Sequence, residues 1–255
     1  MHVNYEYLLN RSESFVGSDG RILDYGCGKG GTVEEGLSRN LNIYGVEAFS
    51  HGSGTTIKEE LQTKGLLDQR VMELQGSTIP FPDRHFDMVI SNQVFEHVVN
   101  LDEALEEIQR VLKPGGKLLC LFPSKEVIRE GHCGILFAHW LPRSKTRYFW
   151  LLFCRSLGFG RLKRRRTRRQ WARFFNEWLN EHVTYRTIDE IHNKFSNQIG
   201  SIEHREQDYV AFRLNSNNFV RLSRLTSIPP ISSVTSWMFR KSGGLNMLVS
   251  KAIDN

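Results

Sequence analysis

Apolar positions in the first half of the chain fall into two alternating kinds of run. Short runs rich in branched and aromatic residues occur at 21–26 (RILDYG), 42–47 (NIYGVE), 70–74 (RVMEL), 86–91 (FDMVIS) and 117–122 (KLLCLF), and predict strands. Between them lie helix-like stretches, TVEEGLSRN, GTTIKEELQTKG and LDEALEEIQRVLKPGG. The last sets Leu101, Ala104, Leu105, Ile108, Val111 and Leu112 on one stripe, and KPGG is expected to end it. Strands that alternate with helices predict an α/β fold with a parallel sheet covered on both faces. Ligands in such sheets bind at the carboxyl ends of the strands, near the switch in strand order.

Residues 124 to about 185 lack this alternation, and the pattern then resumes. TYRTIDEIHNKF predicts a helix capped at Thr187 with Ile188, Ile191 and Phe195 inward, and GSIEHREQDYVAFRL contains a strand. NNFVRLSRLTS predicts an amphipathic helix that stops at Pro229-Pro230, and SGGLNMLVSKA a final strand entered through a glycine turn. The expected organisation is a single domain over 1–255. It comprises a ligand-binding core at 18–125, an inserted lid at 126–185 and a segment at 186–255 that completes the sheet.

Composition fits this picture: 255 residues, 40% of them hydrophobic, suffice for one α/β domain with additions. The start of the chain lacks a basic and then apolar leader, and no apolar run approaches the roughly 20 residues of a membrane span, so a cytoplasmic protein is expected. Cys27, Cys120, Cys133 and Cys154 form no C-x-x-C pair, which predicts reduced thiols and no cysteine-based metal site. The charge is divided. Residues 1–130 carry 13 Lys and Arg against 20 Asp and Glu, and residues 131–255 carry 21 against 8, so the second half is expected to meet an anionic partner or surface.

The first predicted strand runs into LDYGCGKGG, where Gly26, Gly28 and Gly31 have the G-x-G-x-x-G spacing of a dinucleotide turn. Asp24 argues against a dinucleotide. A carboxylate at that strand end would repel a pyrophosphate by about 1–4 kcal/mol at a few ångströms, whereas it suits a cation. S-adenosylmethionine carries an ammonium and a sulfonium, and glycines allow the backbone to approach it closely. Glu47, which ends the second strand, is placed to accept two ribose hydroxyls, a role that either ligand class would use.

Four segments, ILDYGCGKG, IYGVE, IPFPDRHFDMVISNQVFEHV and EIQRVLKPGGKLLCLFPS, resemble in order and separation the class I S-adenosylmethionine-dependent methyltransferases. The likeness is to the small-molecule group that includes the ubiquinone and menaquinone enzymes, and it covers about residues 18–125. It implies a Rossmann-like, seven-stranded, mostly parallel sheet whose last strand is antiparallel, with S-adenosyl-L-methionine across the ends of the early strands. Carried over by position, Asp24, Gly26, Cys27 and Gly28 would line the methionine end and Glu47 would hold the ribose. Gln75, followed by Gly76 and Ser77, stands where relatives often place an Asp for the adenine amine. A glutamine carbonyl can also accept from that amine. Ser91, Asn92 and Gln93 would pass close to the sulfonium, with Phe49 and Phe81 either near the adenine or simply in the core.

Glu96 and His97 of FEHV fall on the side where the methyl is delivered. His97 is a candidate base, against two alternatives: that it orders the loop, or that transfer relies on alignment with no base. Glu130, His132 and His139 are expected to line the acceptor pocket. His132 and His139 are seven apart, but no third ligand is evident, so no metal site is assigned. The run RLKRRRTRRQWARFF holds Arg161, Lys163, Arg164, Arg165, Arg166, Arg168, Arg169 and Arg173 without an acid, and must face solvent or a partner. Anionic lipid contacted through 146–173, with YFWLLF at the interface, is one reading. RNA is another, with Trp171 as the one interleaved aromatic, and a solvated basic helix is the third. The function expected from the sequence is methyl transfer to an oxygen of a small-molecule, lipid or glycan acceptor. The alternatives are an RNA methyltransferase, a non-catalytic S-adenosylmethionine-binding protein and a dinucleotide oxidoreductase.

Overall fold

The five apolar runs of the first half all become parallel strands, the central ones buried on both faces by the helices that separate them. A computed structural model describes residues 2–49, 54–142, 144–163, 165–226 and 228–253. The first half runs α1 (Val3–Val16), β1 (Arg21–Tyr25), α2 (Gly31–Ser38), β2 (Asn42–Glu47), α3 (Gly54–Thr63), β3 (Val71–Glu73), β4 (Phe86–Asn92), α4 (Leu101–Val111) and β5 (Leu112–Phe122). Two helices follow in the insertion, α5 (Lys145–Ser156) and α6 (Arg168–His182). The chain closes with α7 (Ile188–Gln198), β6 (Gly200–His204), α8 (Glu206–Ser216), α9 (Val220–Leu225), α10 (Ile231–Ser242) and β7 (Leu245–Lys251).

The sheet has seven strands in the order β3-β2-β1-β4-β5-β7-β6. β7 runs antiparallel to both β5 and β6 and is the one reversed strand. The order switches between β1 and β4, so the loops that follow these two strands open a crevice at their carboxyl ends. Apolar clusters fill the two faces, one including Leu23, Phe86, Phe95 and Phe195 and the other Leu8, Ile22, Met88 and Tyr209. α7 is capped as its sequence predicts, with the Thr187 side chain accepting from the Glu190 N–H.

Three elements depart from the sequence reading. KPGG does not separate α4 from a strand at 117–122, because β5 begins at Leu112 and pairs with β4 through an irregular register. α1 has no counterpart in the sequence reading, yet its Tyr7, Leu8 and Leu9 are fully buried against the sheet. α8 follows β6 directly, held by Asp208, which accepts from Tyr7 Oη and from Arg11.

The insertion is helical and has a core of its own. α6 opens with a capping box in which the Gln170 N–H donates to Thr167 Oγ1 at 3.3 Å and the Thr167 N–H to Gln170 Oε1 at 2.9 Å. Trp171 is fully buried and its indole N–H donates to the Arg161 carbonyl at 2.8 Å, so it is not a stacking platform for RNA. Gly160, at φ +99°, packs under that ring, where a Cβ would lie 2.6 Å from the indole. The described cations of the run, Arg161, Lys163, Arg165, Arg166, Arg168, Arg169 and Arg173, are all exposed, and Arg164 lies outside the described residues. Trp171→Ala is expected to lower stability by about 3–5 kcal/mol, measured by chemical denaturation.

Candidate active site

The chain leaves β1 through Gly26 and Gly28, both in the left-handed region at φ +77° and +53°. A Cβ on Gly26 would lie 2.4 Å from Val94 Cγ2, so this turn meets the loop after β4 only because the residue is glycine. The N–H groups of Gly26 and Cys27 donate to the Val46 carbonyl at 2.9 and 3.1 Å. Glu47, at the end of β2, accepts from the Gly28 N–H at 2.7 Å and from the Ala48 N–H at 3.1 Å, which aims its carboxylate across the turn. Asp24 is buried beneath. Burial raises its carboxyl from an ordinary 3.8 to about 7, the nearby Glu47 adds to the push, and a hydrogen bond with Thr32 partly opposes it.

These residues border a cavity of about 970 Å³. One wall is Gly26, Gly28, Glu47, Gly76 and Ser77; another is Gln93, Val94, His97 and Val98; and α6 closes it with Phe174, Trp178 and His182. Gln93 itself sits at φ +58°, its backbone N–H donating to the Leu121 carbonyl at 2.7 Å. Phe174, Trp178 and His182 are spaced i, i+4, i+8 and so share one helix face. That spacing is present in the sequence but is masked by the arginines that precede it.

Gly26, Gly28, Glu47, Gly76, Ser77, Gln93 and His97 therefore come together at one cavity. The remaining candidates do not line it. Asp24 acts from below, through charge rather than contact. The Cys27 side chain points back into the sheet, where a Cβ on Gly45 would touch its Sγ. Gln75 is exposed, and its backbone closes a turn with Thr78. Ser91 is buried with its hydroxyl donating to the Tyr25 carbonyl at 3.0 Å, and Asn92 accepts from Asn4 of α1 at 2.8 Å. Phe81 packs on Tyr44 and Phe86 in the core, and Phe49 carries Lys58 over its ring.

Glu96 is buried behind His97, where burial, with Glu130 adding to the push, raises its carboxyl to about 8. Glu130, fully buried, accepts from His132 Nδ1 at 2.7 Å, Cys133 N at 2.6 Å and Tyr185 Oη at 2.8 Å. Burial opposes its ionisation, but these bonds and the His132 ring prevail and hold it down to about 2. The His132 ring packs on His97 and Trp178, with centroids 5.1 and 4.7 Å apart. His139 stacks instead on Tyr185 and contacts the Lys125 carbonyl at 3.1 Å, so it does not share a helix face with His132.

A seam joins the loop after β4 to the end of the insertion. Arg186, buried, donates to the carbonyls of Phe95, Thr184, Val98 and Val99 at 2.8–3.3 Å. The Thr184 N–H donates to the Glu96 carbonyl at 2.7 Å, and His97 Nδ1 donates to the His182 carbonyl at the same distance. Nothing in the spacing of residues 95–99 and 182–186 announces this pairing.

Residues 23–120 match the family pattern described as "Methyltransferase domain". This match, over less than half of the chain, supports a class I S-adenosylmethionine-dependent methyltransferase. It is 32% identical over 114 residues to the ubiquinone/menaquinone biosynthesis C-methyltransferase UbiE of Pectobacterium atrosepticum, a match over 43% of this chain and 45% of that protein. The sterol 4-C-methyltransferase strm-1 of Caenorhabditis elegans is 32% identical over 98 residues, 38% of this chain and 29% of that protein. The match thus spans less than half the length of these curated relatives. In fold, the chain is similar to phosphoethanolamine N-methyltransferase 2 of Haemonchus contortus, with a TM-score of 0.51 and 17% identity over 98% of this chain and 52% of that one.

The methyltransferase cofactor fits the residues present. A buried acid suits a cation, Glu47 offers a carboxylate at the end of β2, and the glycine turn admits close approach. The charge on Asp24 makes binding pH-dependent. A cation above it favours the ionised form, so binding expels a proton, and affinity rises as pH climbs through about 7. Affinity for S-adenosylhomocysteine, which keeps the ammonium, should be about tenfold lower at pH 6 than at pH 8. Isothermal titration checks this, and Asp24→Asn should bind weakly with a flattened pH profile.

Proposed function

We propose that the protein transfers a methyl group from S-adenosylmethionine to a carbon of a small apolar acceptor, next to an oxygen that makes that carbon nucleophilic. The observation that carries this reading is a single cavity bordered by both the Gly26–Gly28 turn with Glu47 and the apolar face of α6 with Val94 and Val98. Its volume is at the upper end of the roughly 300–1,000 Å³ usual for ligand pockets, which favours two ligands side by side. The sequence reading favoured an oxygen acceptor. Two relatives named as C-methyltransferases support carbon instead.

The cofactor supplies an electrophilic methyl on a sulfonium. This chain's residues orient and desolvate the partners: Glu47 holds the ribose, Phe174, Trp178 and Val98 exclude water from the acceptor, and the seam fixes His97 at its polar edge. Phenols and quinols with short apolar chains, incubated with cofactor carrying a deuterated methyl, should gain that label on carbon, read by mass spectrometry. Label on oxygen alone would restore the earlier reading. Glu47→Gln should lower S-adenosylhomocysteine affinity by about 10–100-fold, and NAD should not compete.

An apolar acceptor fits a protein that works at a membrane surface. Among the described residues no helix is long and apolar enough to cross a membrane. Phe219, Leu222, Ile228, Val234, Trp237 and Met238, on α9, α10 and the turn between, are nonetheless 47–61% exposed. The sequence from Tyr209 to Ile253 contains no acid, while Arg221, Arg224 and Lys241 stand among these side chains. Apolar side chains set among cations complement an anionic bilayer. Phe149, Phe153 and Phe159, before the arginine run, add a second exposed apolar group. Co-sedimentation should require vesicles with anionic lipid, weaken with salt, and fall for Trp237→Ser with Met238→Ser. Equal binding to neutral vesicles would contradict the charge argument.

A further inference from the structure

We propose that Glu96, His97 and His132 bind one first-row divalent cation beside the cavity, and that this ion takes an oxygen of the acceptor. One nitrogen from each imidazole and one carboxylate oxygen of Glu96 lie within 4.8 Å of one another. At metal–ligand bonds of roughly 2.0–2.2 Å, small side-chain rotations bring such a set onto a single ion.

Each imidazole is already held through one of its ring nitrogens. His132 donates through Nδ1 to Glu130 Oε1 at 2.7 Å, and His97 through Nδ1 to the His182 carbonyl at 2.7 Å. In each neutral ring the lone pair then belongs to Nε2, and a carboxylate or carbonyl behind the ring is the support that metal-bound histidines ordinarily have. Glu130 is itself fixed by Cys133 N and Tyr185 Oη. Glu96 supplies the independent sign. It is 2% exposed, and among the described residues neither of its carboxylate oxygens accepts a hydrogen bond from another residue. A buried carboxylate in that condition calls for a proton or a cation.

Two imidazoles and one carboxylate suit Zn²⁺, Fe²⁺ or Co²⁺ better than Mg²⁺ or Ca²⁺, which prefer all-oxygen shells. Three protein ligands leave coordination positions open. His97 lines the cavity, so an open position would face the acceptor. The sequence reading sought a partner for His132 at His139. The fold supplies Glu96 and His97 instead, from across the seam.

The acceptor role of the ion rests on the methyl-transfer reading, whereas its binding does not. The test uses Co²⁺ as a spectroscopic probe on the full chain, with S-adenosylhomocysteine titrated into the same samples. One Co²⁺ per chain after dialysis, with visible ligand-field bands, is expected. His132→Ala should weaken Co²⁺ at least about tenfold while S-adenosylhomocysteine binding is retained, and Glu96→Gln should do the same. Wild-type protein that binds S-adenosylhomocysteine but retains no Co²⁺ would overturn the metal site alone, as would Co²⁺ binding unchanged in both variants. Co²⁺ retained by a chain that binds no S-adenosylhomocysteine would uphold the metal site and sink the methyltransferase reading.

Discussion

The wall of the cavity formed by the loop after β4 and the end of the insertion depends on one buried guanidinium. Arg186 donates to four backbone carbonyls, three of them in the loop after β4, and so converts two irregular segments into one wall. Those carbonyls would otherwise be short of partners in a place with little water, a condition that is costly for each group. Arginine is the residue suited to the task. Its planar fork offers five donors with fixed directions, and its charge persists even where burial lowers its pKa.

From this wall the site divides into two kinds of chemistry. The turn after β1 and the end of β2 are rigid, with glycines permitting contact that any side chain would block and Glu47 bracing the turn from the side. Across the cavity, α6 contributes an aromatic and imidazole face whose position is set by contacts with α5. There Arg147, nearly fully buried, bonds to the Asn176 side chain and carbonyl and to Asn180. The turn that the cofactor fits therefore belongs to the sheet, and the wall facing it to the insertion. The segment can change its lining residues without disturbing the turn, which is how one fold serves different acceptors.

Beside the wall stand two buried glutamates with opposite fates. Glu130 collects donors from its own turn and from Tyr185, and stays ionised. Glu96, on the other side of the same histidines, collects none. Identical side chains so close together differ only in the hydrogen bonds the backbone can offer them, and that difference marks Glu96 as the group still open to a proton or a cation.

Much of the cofactor half was legible in the chain, because its determinants are local. Strand periodicity, the placement of Asp24 and Glu47 at strand ends, and the glycine spacing each act within a few residues of where they are read. Parallel strands then bring their ends together by topology alone. The helix α7 and the strand β7 were likewise visible, through a cap and an apolar run respectively. What the sequence could not decide is which side chains face the cavity. Cys27, Gln75, Ser91 and Asn92 are near the right place in the chain, but a one-residue step along a strand or turn sends a side chain to the opposite face. His132, His97 and Trp178 meet only because the insertion folds back on the loop after β4, through hydrogen bonds between backbone groups that every residue carries and no sequence pattern distinguishes. The chain by itself determined the fold and the cofactor, through local and periodic signals. Long-range packing alone decided which side chains of the insertion and of the loop after β4 face the cavity.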